Sequence, residues 1–370
     1  MDAAVSPPNA ALTIRDLRVR TVDVPLDPTV QTAVGAVRSA PLVLMDLHTQ
    51  QGVTGRAYVF TYTPAALGPT AAMAANLAPL VAGQRLAPMA LSRMLAGRFT
   101  LLGTEGLVGM ALALLDMAMW DVHARAAGLP LARLLGASGE ERIPAYASLR
   151  GWETAVLADE AGRAAAAGFR AVKLKFGHPT LEAEREVFRA VRGAVGEDVA
   201  IMVDPNQVFT VPEAIRRARD YADWGVAWLE EPVRARDLAG HAAVARAVPR
   251  LPLQRGENDW GPEGIAASLA AGASSLLMPD AMKVGGVTGW MEAAAQCKAA
   301  GVPVSSHLFI EASAHLLAAT PGRHMLEWLD LAWPVLAAGS PTLAEGHAAP
   351  AAAPGLGLDW DEAAVVRYAA

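Results

Sequence analysis

The sequence predicts an α/β protein in which a parallel β/α barrel follows a smaller α+β domain. Three observations support this prediction. At 370 residues, the chain exceeds one ordinary hydrophobic core. From about residue 143, strand-like apolar runs alternate with helical runs at a spacing of roughly 20 to 30 residues, the length of one βα unit. Each apolar run carries Lys, Asp, Glu or His near its C-terminal end, although strands buried on both faces are otherwise almost purely apolar.

The recurring polar ends distinguish between two arrangements of these units. A doubly wound open sheet is the alternative, but it needs no charged residues at matching places on consecutive strands. A barrel of seven or eight units gathers all its strand ends around one axis. A barrel with a shared site at its mouth is therefore predicted by the runs AVKLKF, AIMVDPN, AWLEEP, LPLQRGEN, SSLLMPD, PVSSHLF and HMLEWL.

The chain before and after the barrel has a different pattern. From about Leu12 to Phe60, apolar and polar residues alternate as in an antiparallel meander, and from about Pro64 to Leu135 the period is helical. Residues 1–135 are therefore predicted to form an α+β capping domain, and residues 136–340 the barrel. Residues 341–370, rich in Ala, Pro and Gly at first, are predicted to run back over the first domain.

Composition limits the classes of partner. Hydrophobic residues make up 53% of the chain and charged residues 18%, which is typical of a globular protein. The net charge of -6, without a run of Lys or Arg, argues against nucleic acid as a partner. No membrane partner is expected, because the most apolar stretch, LVGMALALLDMAMWDVHA, contains Asp116 and Asp121 and is predicted to be too short and too charged to span a bilayer.

Two further features concern the cellular location. The N-terminal stretch MDAAVSPPNAALTIRD lacks a basic start followed by an apolar core, so no secretory signal is expected. The single cysteine, Cys297, cannot form an intrachain disulfide, which favours a reducing cytoplasm. Its place in a helical stretch indicates a small buried residue rather than a nucleophile.

Three carboxylates are candidate metal ligands. Asp204, Glu230 and Glu257 end three successive strands about 26 residues apart, so a barrel brings them together. Three close carboxylates repel one another unless a cation lies among them, and oxygen ligands favour Mg²⁺ over Zn²⁺. The alternative is that they only cap the helices that follow.

Two lysines are candidate catalytic residues on the preceding strand. Lys173 and Lys175 are two residues apart in AVKLKF, so both side chains point to the same face. Close to each other and to a dication, each is expected to have a lowered pKa, which would allow one to act as a base. The alternative is a solvent-facing position on an edge strand.

A second base and an acid are predicted on the remaining strands. Asp280 and His307 end neighbouring strands, and a carboxylate bonded to an imidazole fixes its tautomer and raises its proton affinity. Glu327 lies between apolar residues in HMLEWL and is expected to hold its proton at neutral pH. Core packing of the histidine, and an ion pair of Glu327 with Arg323, are the alternatives. Together these groups suit the removal of a proton next to a carboxylate, with an enediolate as the intermediate.

These residues also carry a family resemblance. The strings VKLKFG, MVDPNQ, WLEEP, GEN, MPDAMKVGGVTGW, SSHLFIEASAHLLAATP and HMLEWL are similar, in order and spacing, to the mandelate racemase group of the enolase superfamily. The resemblance covers nearly the whole chain. It implies an α+β N-terminal capping domain completed by the C-terminal tail over a modified (β/α)₇β TIM barrel, Mg²⁺ on the three carboxylates, and a Lys175 base that faces His307 and Asp280.

The resemblance extends to the substrate contacts. It implies that Lys173 and Glu327 are partners of the substrate carboxylate and the enolate. Further substrate contacts are expected from Ser148, Asn206, Val30, Val34, Val37, Phe60 and Tyr62. An apolar cap suits an aromatic ring, whereas acid sugars would need hydrogen-bonding side chains there. The chain departs from the expected pattern at Arg38, Leu149, Leu174 and Pro205.

The first functional hypothesis is an isomerase, a Mg²⁺-dependent racemase of mandelate or of a related aromatic or apolar 2-hydroxy acid. In this hypothesis Lys175 removes the α-proton of the S enantiomer and His307 that of the R enantiomer. The alternative on the same scaffold is an acid-sugar dehydratase, a hydro-lyase, in which His307 protonates the leaving hydroxyl. A non-catalytic binding protein is disfavoured by the complete set of site residues. The resemblance also implies a homo-oligomer, up to an octamer.

Overall fold

The computed structural model describes residues 11–370 of the chain. Residues 1–10 lie outside the described residues. The expectation that no secretory signal is present concerns mostly this segment. From residue 11, the chain forms an antiparallel sheet with its helices, then a ring of parallel strands, and then a C-terminal segment.

An antiparallel sheet of three strands precedes the barrel. Its strands, in spatial order, are β1 (Ile14–Thr32), β2 (Gly35–Thr49) and β3 (Thr54–Phe60). The predicted meander is thereby confirmed. The strands β1 and β2 form a long hairpin in which Val30 pairs with Val37. We call residues 32–37, at the end of this hairpin, the cap tip.

Five helices follow this sheet: α1 (Pro64–Ala75), α2 (Ala78–Val81), α3 (Pro88–Arg98), α4 (Gly106–Ala126) and α5 (Leu131–Leu134). The sequence predicts that the apolar stretch in α4 is too short and too charged to span a bilayer. This expectation is wrong, because the helix has 21 residues and is long and apolar enough to cross a membrane. Within the protein, however, 78% of its apolar window is buried, as in the core helix of a globular fold.

Eight parallel segments form the barrel: β4 (Ile143–Ser148), β5 (Ala171–Lys175), β6 (Ala200–Asp204), β7 (Leu229–Glu230), β8 (Leu253–Arg255), β9 (Leu276–Leu277), the segment 304–307 and β10 (Leu326–Trp328). The ring closes because segment 304–307 bonds to β9 on one side and to the chain that leads into β10 on the other, and β10 pairs with β4. The barrel, rather than an open sheet, is thereby confirmed.

Seven helices connect these segments: α6 (Thr154–Ala166), α7 (Leu181–Val195), α8 (Val211–Trp224), α9 (Leu238–Ala247), α10 (Gly261–Ala271), α11 (Gly286–Ala300) and α12 (Ile310–Ala318). Local sequence sets their ends. The side chains of Thr180 and Thr210 cap the N-termini of α7 and α8, and Gly225 ends α8 in a left-handed conformation. Eight strands and seven helices make the (β/α)₇β arrangement that the family resemblance implies.

The strand alternation explains the polar residues at the strand ends. In β5, Val172 and Leu174 point outward and belong to the large core between strands and helices. Ala171 belongs to a small inner cluster with Tyr146, Met202 and Trp228. Because side chains alternate along a strand, Lys173 and Lys175 share the inward face with Ala171. Inward-facing ends of all strands therefore meet at the mouth of the barrel.

The C-terminal segment contacts both parts of the chain. It contains β11 (Leu336–Ala338), β12 (Thr342–Ala344), β13 (His347–Ala349), β14 (Asp359–Trp360) and α13 (Glu362–Arg367). The strand β13 pairs antiparallel with β4 of the barrel. Further on, the indole N–H of Trp360 donates to Asp46 Oδ1 at 2.8 Å, and Ala369 bridges Val22. The last residues therefore contact β1 and β2 of the first sheet.

Candidate active site

Three carboxylates lie together at the ends of neighbouring strands. Asp204 ends β6, Glu230 ends β7, and Glu257 lies two residues beyond β8. One oxygen of each carboxylate lies within 4.8 Å of the others. Asp204 and Glu230 are buried, and like charges so close repel unless positive charge lies among them. This geometry fits a divalent cation.

The chemistry of the donor set indicates which cation fits. All three residues offer hard oxygen ligands, and three protein ligands leave positions for water and substrate, as Mg²⁺ requires. Burial raises the pKa of Glu230 to about 8 against the opposing effect of Lys173, with Asp204 and Glu257 adding to the increase. Added positive charge therefore stabilises the ionised cluster, which agrees with a cation site.

The two lysines lie against these carboxylates. Lys173 Nζ lies 2.6 Å from Glu230 Oε1 and 2.7 Å from Glu327 Oε1, and Lys175 Nζ lies 2.5 Å from Asp204 Oδ2. Burial lowers the pKa of both lysines, but the neighbouring carboxylates outweigh it and raise both pKa values. Without a cation the direction is opposite to the predicted lowering, because each ammonium group has a carboxylate partner that outweighs the neighbouring lysine. The lowering expected beside a bound dication stays a prediction.

His307 and Asp280 form the predicted pair. His307 Nδ1 lies 2.7 Å from Asp280 Oδ2, and His307 Nε2 lies 3.1 Å from Glu257 Oε2. Burial lowers the pKa of His307, but Glu257, the hydrogen bond to Asp280, and Glu327 raise it to about 9. The carboxyl of Asp280 is held in turn by the backbone N–H groups of Met282 and Lys283, at 2.8 and 3.1 Å. The imidazole is thus oriented by a carboxylate that the backbone of its own loop holds in place.

Glu327 is an ion-paired carboxylate in this structure. Burial raises the pKa of Glu327, but Lys173, His307 and Lys175 lower it well below its usual range. Its second oxygen, Oε2, accepts the backbone N–H of Leu308 at 3.0 Å. The expectation of a neutral acid, and the alternative pair with Arg323, are both wrong. The apolar residues next to Glu327 in sequence do not surround it in space, because β10 closes the barrel beside β4 and the inward-facing side chains of Glu327 and Lys173 meet across that strand.

A cavity of about 920 Å³ opens above these groups. Lys175 and His307 line it together with Glu257 and Glu327. All the other residues predicted to contact substrate, Lys173 excepted, also line it: Ser148, Asn206, Val30, Val34, Val37, Phe60 and Tyr62. Asn206 donates Nδ2 to Asp204 Oδ2 at 2.8 Å, and its buried Oδ1 has no partner among residues 11–370. That oxygen is free to accept a hydrogen bond from a ligand.

Several predicted specificity positions lie away from the cavity. Lys173 is fully buried beneath it and is bonded to Glu230 and Glu327. Leu149 and Leu174 are buried in the outer core, and Arg38 is exposed on β2 outside the cavity lining. The structure therefore gives these last three positions no direct contact with a ligand in the cavity.

Other lining residues were missed in the sequence. The apolar wall also contains Leu26, Val208, Phe209, Leu308, Leu329 and Leu331. Leu308 directly follows His307, and Leu329 lies two residues after Glu327. Their closeness in sequence to predicted site residues could have indicated that they line the cavity. Asn258 and Lys283 line the polar side. Asn258 follows a predicted ligand directly, whereas Lys283 lies in a loop whose shape the sequence pattern does not determine.

The fold and the site together define a class of protein. A carboxylate metal site, two lysines and a His–Asp pair lie at the mouth of a (β/α)₇β barrel, beneath a cap from an α+β domain. This is the architecture of a metal-dependent barrel enzyme.

The comparison with protein families identifies the class more closely. Residues 156–364 match the family described as enolase C-terminal domain-like. Residues 14–136 match the N-terminal domain of the mandelate racemase and muconate lactonizing enzyme family. The chain belongs to the enolase superfamily and is a Mg²⁺-dependent enzyme.

Individual relatives differ in activity. An enolase from Bradyrhizobium, crystallised with magnesium and mandelic acid, superimposes with a TM-score of 0.92 at 42% identity, covering 98% of this chain and 99% of that chain. The 3,6-anhydro-α-L-galactonate cycloisomerase of Streptomyces coelicolor is 29% identical, covering 79% of this chain and 81% of that protein. The L-talarate/galactarate dehydratase of Salmonella typhimurium is 32% identical, covering 62% of this chain and 58% of that protein.

Proposed function

We propose that the protein is a racemase that inverts the α-carbon of mandelate or of a related 2-hydroxy acid with an aromatic or apolar substituent. One observation carries this proposal. Lys175 and His307 line one cavity from different sides of the barrel, since β5 is separated from segment 304–307 by β10 and β4. Two bases on different walls can reach opposite faces of one carbon atom.

The cavity lining supports the substrate class. Val30, Val37 and Phe60 supply apolar surface from the cap, and Leu308 and Leu329 supply it from the barrel. This apolar surface suits a phenyl ring. Gln207, Arg234 and Asp237 also line the cavity and would be the partners of hydroxyl groups of a sugar acid. The Bradyrhizobium enolase, which was crystallised with mandelic acid, also has the highest identity among the relatives described above.

The proposed reaction is a 1,1-proton transfer. One base breaks the α C–H bond, the electron pair of that bond moves into the carboxyl group to give an enediolate, and the other base donates a proton to the opposite face. Lys175 takes the proton from the S enantiomer and His307 from the R enantiomer. Asp280 accepts a hydrogen bond from Nδ1 of the imidazole, so that Nε2 is the nitrogen that exchanges a proton with the substrate. Asp204, Glu230 and Glu257 would hold Mg²⁺, whose positive charge would weaken the attraction of these carboxylates for the lysines and offset charge on the enediolate.

The remaining groups hold the substrate. We propose that the Ser148 hydroxyl donates to the substrate carboxylate and that Asn206 Oδ1 accepts a hydrogen bond from the substrate. Lys173 and Glu327 lie beneath the substrate, where we propose that they stabilise its carboxylate and the enolate. The ion pair between these last two, at 2.7 Å, keeps both side chains fixed beneath the cavity. Preorganised groups of this kind stabilise developing charge without reorganising during the reaction.

Acid-sugar dehydration is the second candidate. The curated relatives support it, because one is a talarate and galactarate dehydratase. In that reaction one base removes the α-proton and His307 protonates the leaving β-hydroxyl group. The substrate must carry a β-hydroxyl group, which mandelate does not, so the two candidates can be separated by substrate alone.

Polarimetry with product analysis tests this proposal. The purified protein with Mg²⁺ is incubated with S-mandelate, and the optical rotation is expected to decay to zero. Parallel incubations with galactarate and other acid sugars are assayed for 2-oxo acids, and none is expected. Formation of a 2-oxo acid with no loss of rotation would favour the dehydratase instead.

Location and assembly are also proposed. The free thiol of Cys297 is buried in α11, which is compatible with the reducing cytoplasm that the cysteine content favours. We propose a homo-oligomer on the basis of the family resemblance, and light scattering in solution measures its size.

A further inference from the structure

Lys283 is the one lysine at the cavity without a place in the proposed mechanism. The whole chain contains four lysines and 27 arginines. Three of the four lysines, Lys173, Lys175 and Lys283, are buried at or beneath this cavity, and only Lys298 is exposed. Because the chain uses Arg for nearly every other cation, a lysine here indicates a need for a compact ammonium group.

The contacts of Lys283 are unusual for a buried cation. Its side chain is only 7% exposed, and no carboxylate of residues 11–370 lies within 4.0 Å of Nζ. Instead Nζ donates to Asn258 Oδ1 at 2.8 Å and lies 4.6 Å from the centre of the Tyr62 ring. A buried ammonium group without a counter-ion costs stability. Folding alone therefore does not account for it.

The first contact fixes the orientation of the Asn258 amide. An ammonium group can only donate and a carboxylate can only accept, so Oδ1 must face Lys283 and Nδ2 must face the carboxylates. Nδ2 lies 2.9 Å from Glu257 Oε1 and 2.7 Å from Glu231 Oε2. The other oxygen of Glu257 lies 3.1 Å from His307 Nε2. This branch therefore runs from Lys283 to one nitrogen of the imidazole.

The second contact leads to the other nitrogen. The Tyr62 hydroxyl lies 3.4 Å from Asp280 Oδ2, the same oxygen that bonds His307 Nδ1 at 2.7 Å. The Lys283 backbone N–H donates to Asp280 Oδ1 at 3.1 Å. Both branches thus meet at His307. Neither includes Asp204 or Glu230, the partners of Lys175 and Lys173.

We propose that Lys283 is a positioning residue for the His307 half of the site. Its ammonium group fixes the Asn258 amide beneath Glu257 and holds the ring of Tyr62, a residue of the cap, over Asp280. It thereby couples closure of the cap on this side to the orientation of the imidazole. This proposal rests on the two-base racemase function.

Exchange of the α-proton in deuterated water separates the two halves of the site. Lys283→Met removes the charge with little change in volume, Lys283→Arg retains the charge, and Lys298→Met makes the same substitution at the exposed lysine. For Lys283→Met, exchange from R-mandelate is expected to fall about tenfold more than exchange from S-mandelate, because a hydrogen bond and a cation–π contact are lost only near His307. Lys298→Met is expected to match the wild type, and Lys283→Arg to recover part of the difference.

Three results would overturn the proposal. Equal loss for both enantiomers would indicate a general structural role. A KM that rises equally for both, with unchanged kcat, would indicate direct contact with substrate. Rates unchanged from the wild type would indicate no role. Tyr62→Phe removes only the hydroxyl group and is expected to show a smaller asymmetry of the same sign, so it replaces Lys283→Met if that variant does not fold.

A crystal structure distinguishes this proposal from the proposed function. If the wild type exchanges neither enantiomer, the racemase proposal fails, and the positioning role is then judged from the Lys283→Met structure. Displacement of the Asn258 amide or of the Tyr62 ring supports the role, whereas unchanged positions of both overturn it.

Discussion

Replacement of Asp280 by asparagine should prevent His307 from accepting the α-proton while leaving Lys175 in place as the other base. Asp280 Oδ1 accepts the backbone N–H groups of Met282 and Lys283, so the amide oxygen of an asparagine must take this position. The NH₂ group then takes the position of Oδ2, which lies 2.7 Å from His307 Nδ1. Nδ1 must accept a hydrogen bond, and the proton of the neutral imidazole moves to Nε2. That nitrogen can no longer accept the α-proton.

The size of the effect follows from the tautomer. An Asp-to-Asn change that leaves a catalytic histidine in the wrong tautomer costs about 10⁴ in rate, or about 5 kcal/mol of transition-state stabilisation. Exchange of the R-mandelate α-proton is expected to fall by roughly this factor. Exchange from S-mandelate through Lys175 is expected to fall less than about tenfold, since Asp204 and the lysine are not altered.

The assay is proton NMR of the α-position in deuterated water, with each enantiomer in turn. His307→Asn is the matched control, because it removes the same base without a tautomer effect and should give the same pattern. Equal loss for both enantiomers would refute the two-base assignment. Retention of R-mandelate exchange would show that Asp280 does not control the tautomer.

Three further predictions concern the metal, the cap and the interface of the two domains. Chelation of the metal should abolish exchange and added Mg²⁺ should restore it, whereas full exchange in excess chelator would contradict a metal role. Gly177→Ala should raise KM by displacing the cap tip, because its new Cβ, at φ 108°, would lie 2.8 Å from Ala33 Cβ and 2.9 Å from Val208. Gly196→Ala is the control in the same steady-state assay, because Gly196 also has a positive φ but its Cβ would meet nothing within 4 Å. Burial raises the pKa of Asp116 from 3.8 to about 6, despite hydrogen bonds from Ser92 and Thr288. The folded state therefore binds this proton more tightly, and about 3 kcal/mol of stability present at low pH is lost as pH rises through 6. Asp116→Asn should remove this loss. In urea denaturation, the free energy of unfolding of the variant should therefore rise relative to that of the wild type as pH rises. A difference that does not change with pH would refute the assignment.

The polar residues at the strand ends were predictable because they depend on two simple rules. Alternation along a strand puts Lys173 and Lys175 on one face, and a ring of parallel strands brings Asp204, Glu230 and Glu257 to one mouth. These rules need only the sequence pattern and the number of units. The metal cluster and the pairing of His307 with Asp280 follow from them directly.

The protonation state of Glu327 and the contacts made across the barrel or between the two domains were not predictable in the same way. The sequence around Glu327 is apolar, yet its nearest charge is Lys173, which comes from a strand about 150 residues earlier in the chain and meets it only when the barrel closes. Tyr62 likewise meets Lys283 across two domains. Arg38 follows the cap tip directly in sequence but is exposed and does not line the cavity. Each of these depends on closure or docking, which local pattern does not determine.

The central claim is that Lys175 and His307 act on opposite faces of one carbon atom. Deuterium incorporation by the wild-type protein, measured separately for R- and S-mandelate in the presence of Mg²⁺ and followed with optical rotation, tests it most directly. The account predicts exchange from both enantiomers together with loss of rotation. Exchange from only one enantiomer, with rotation retained, would contradict it.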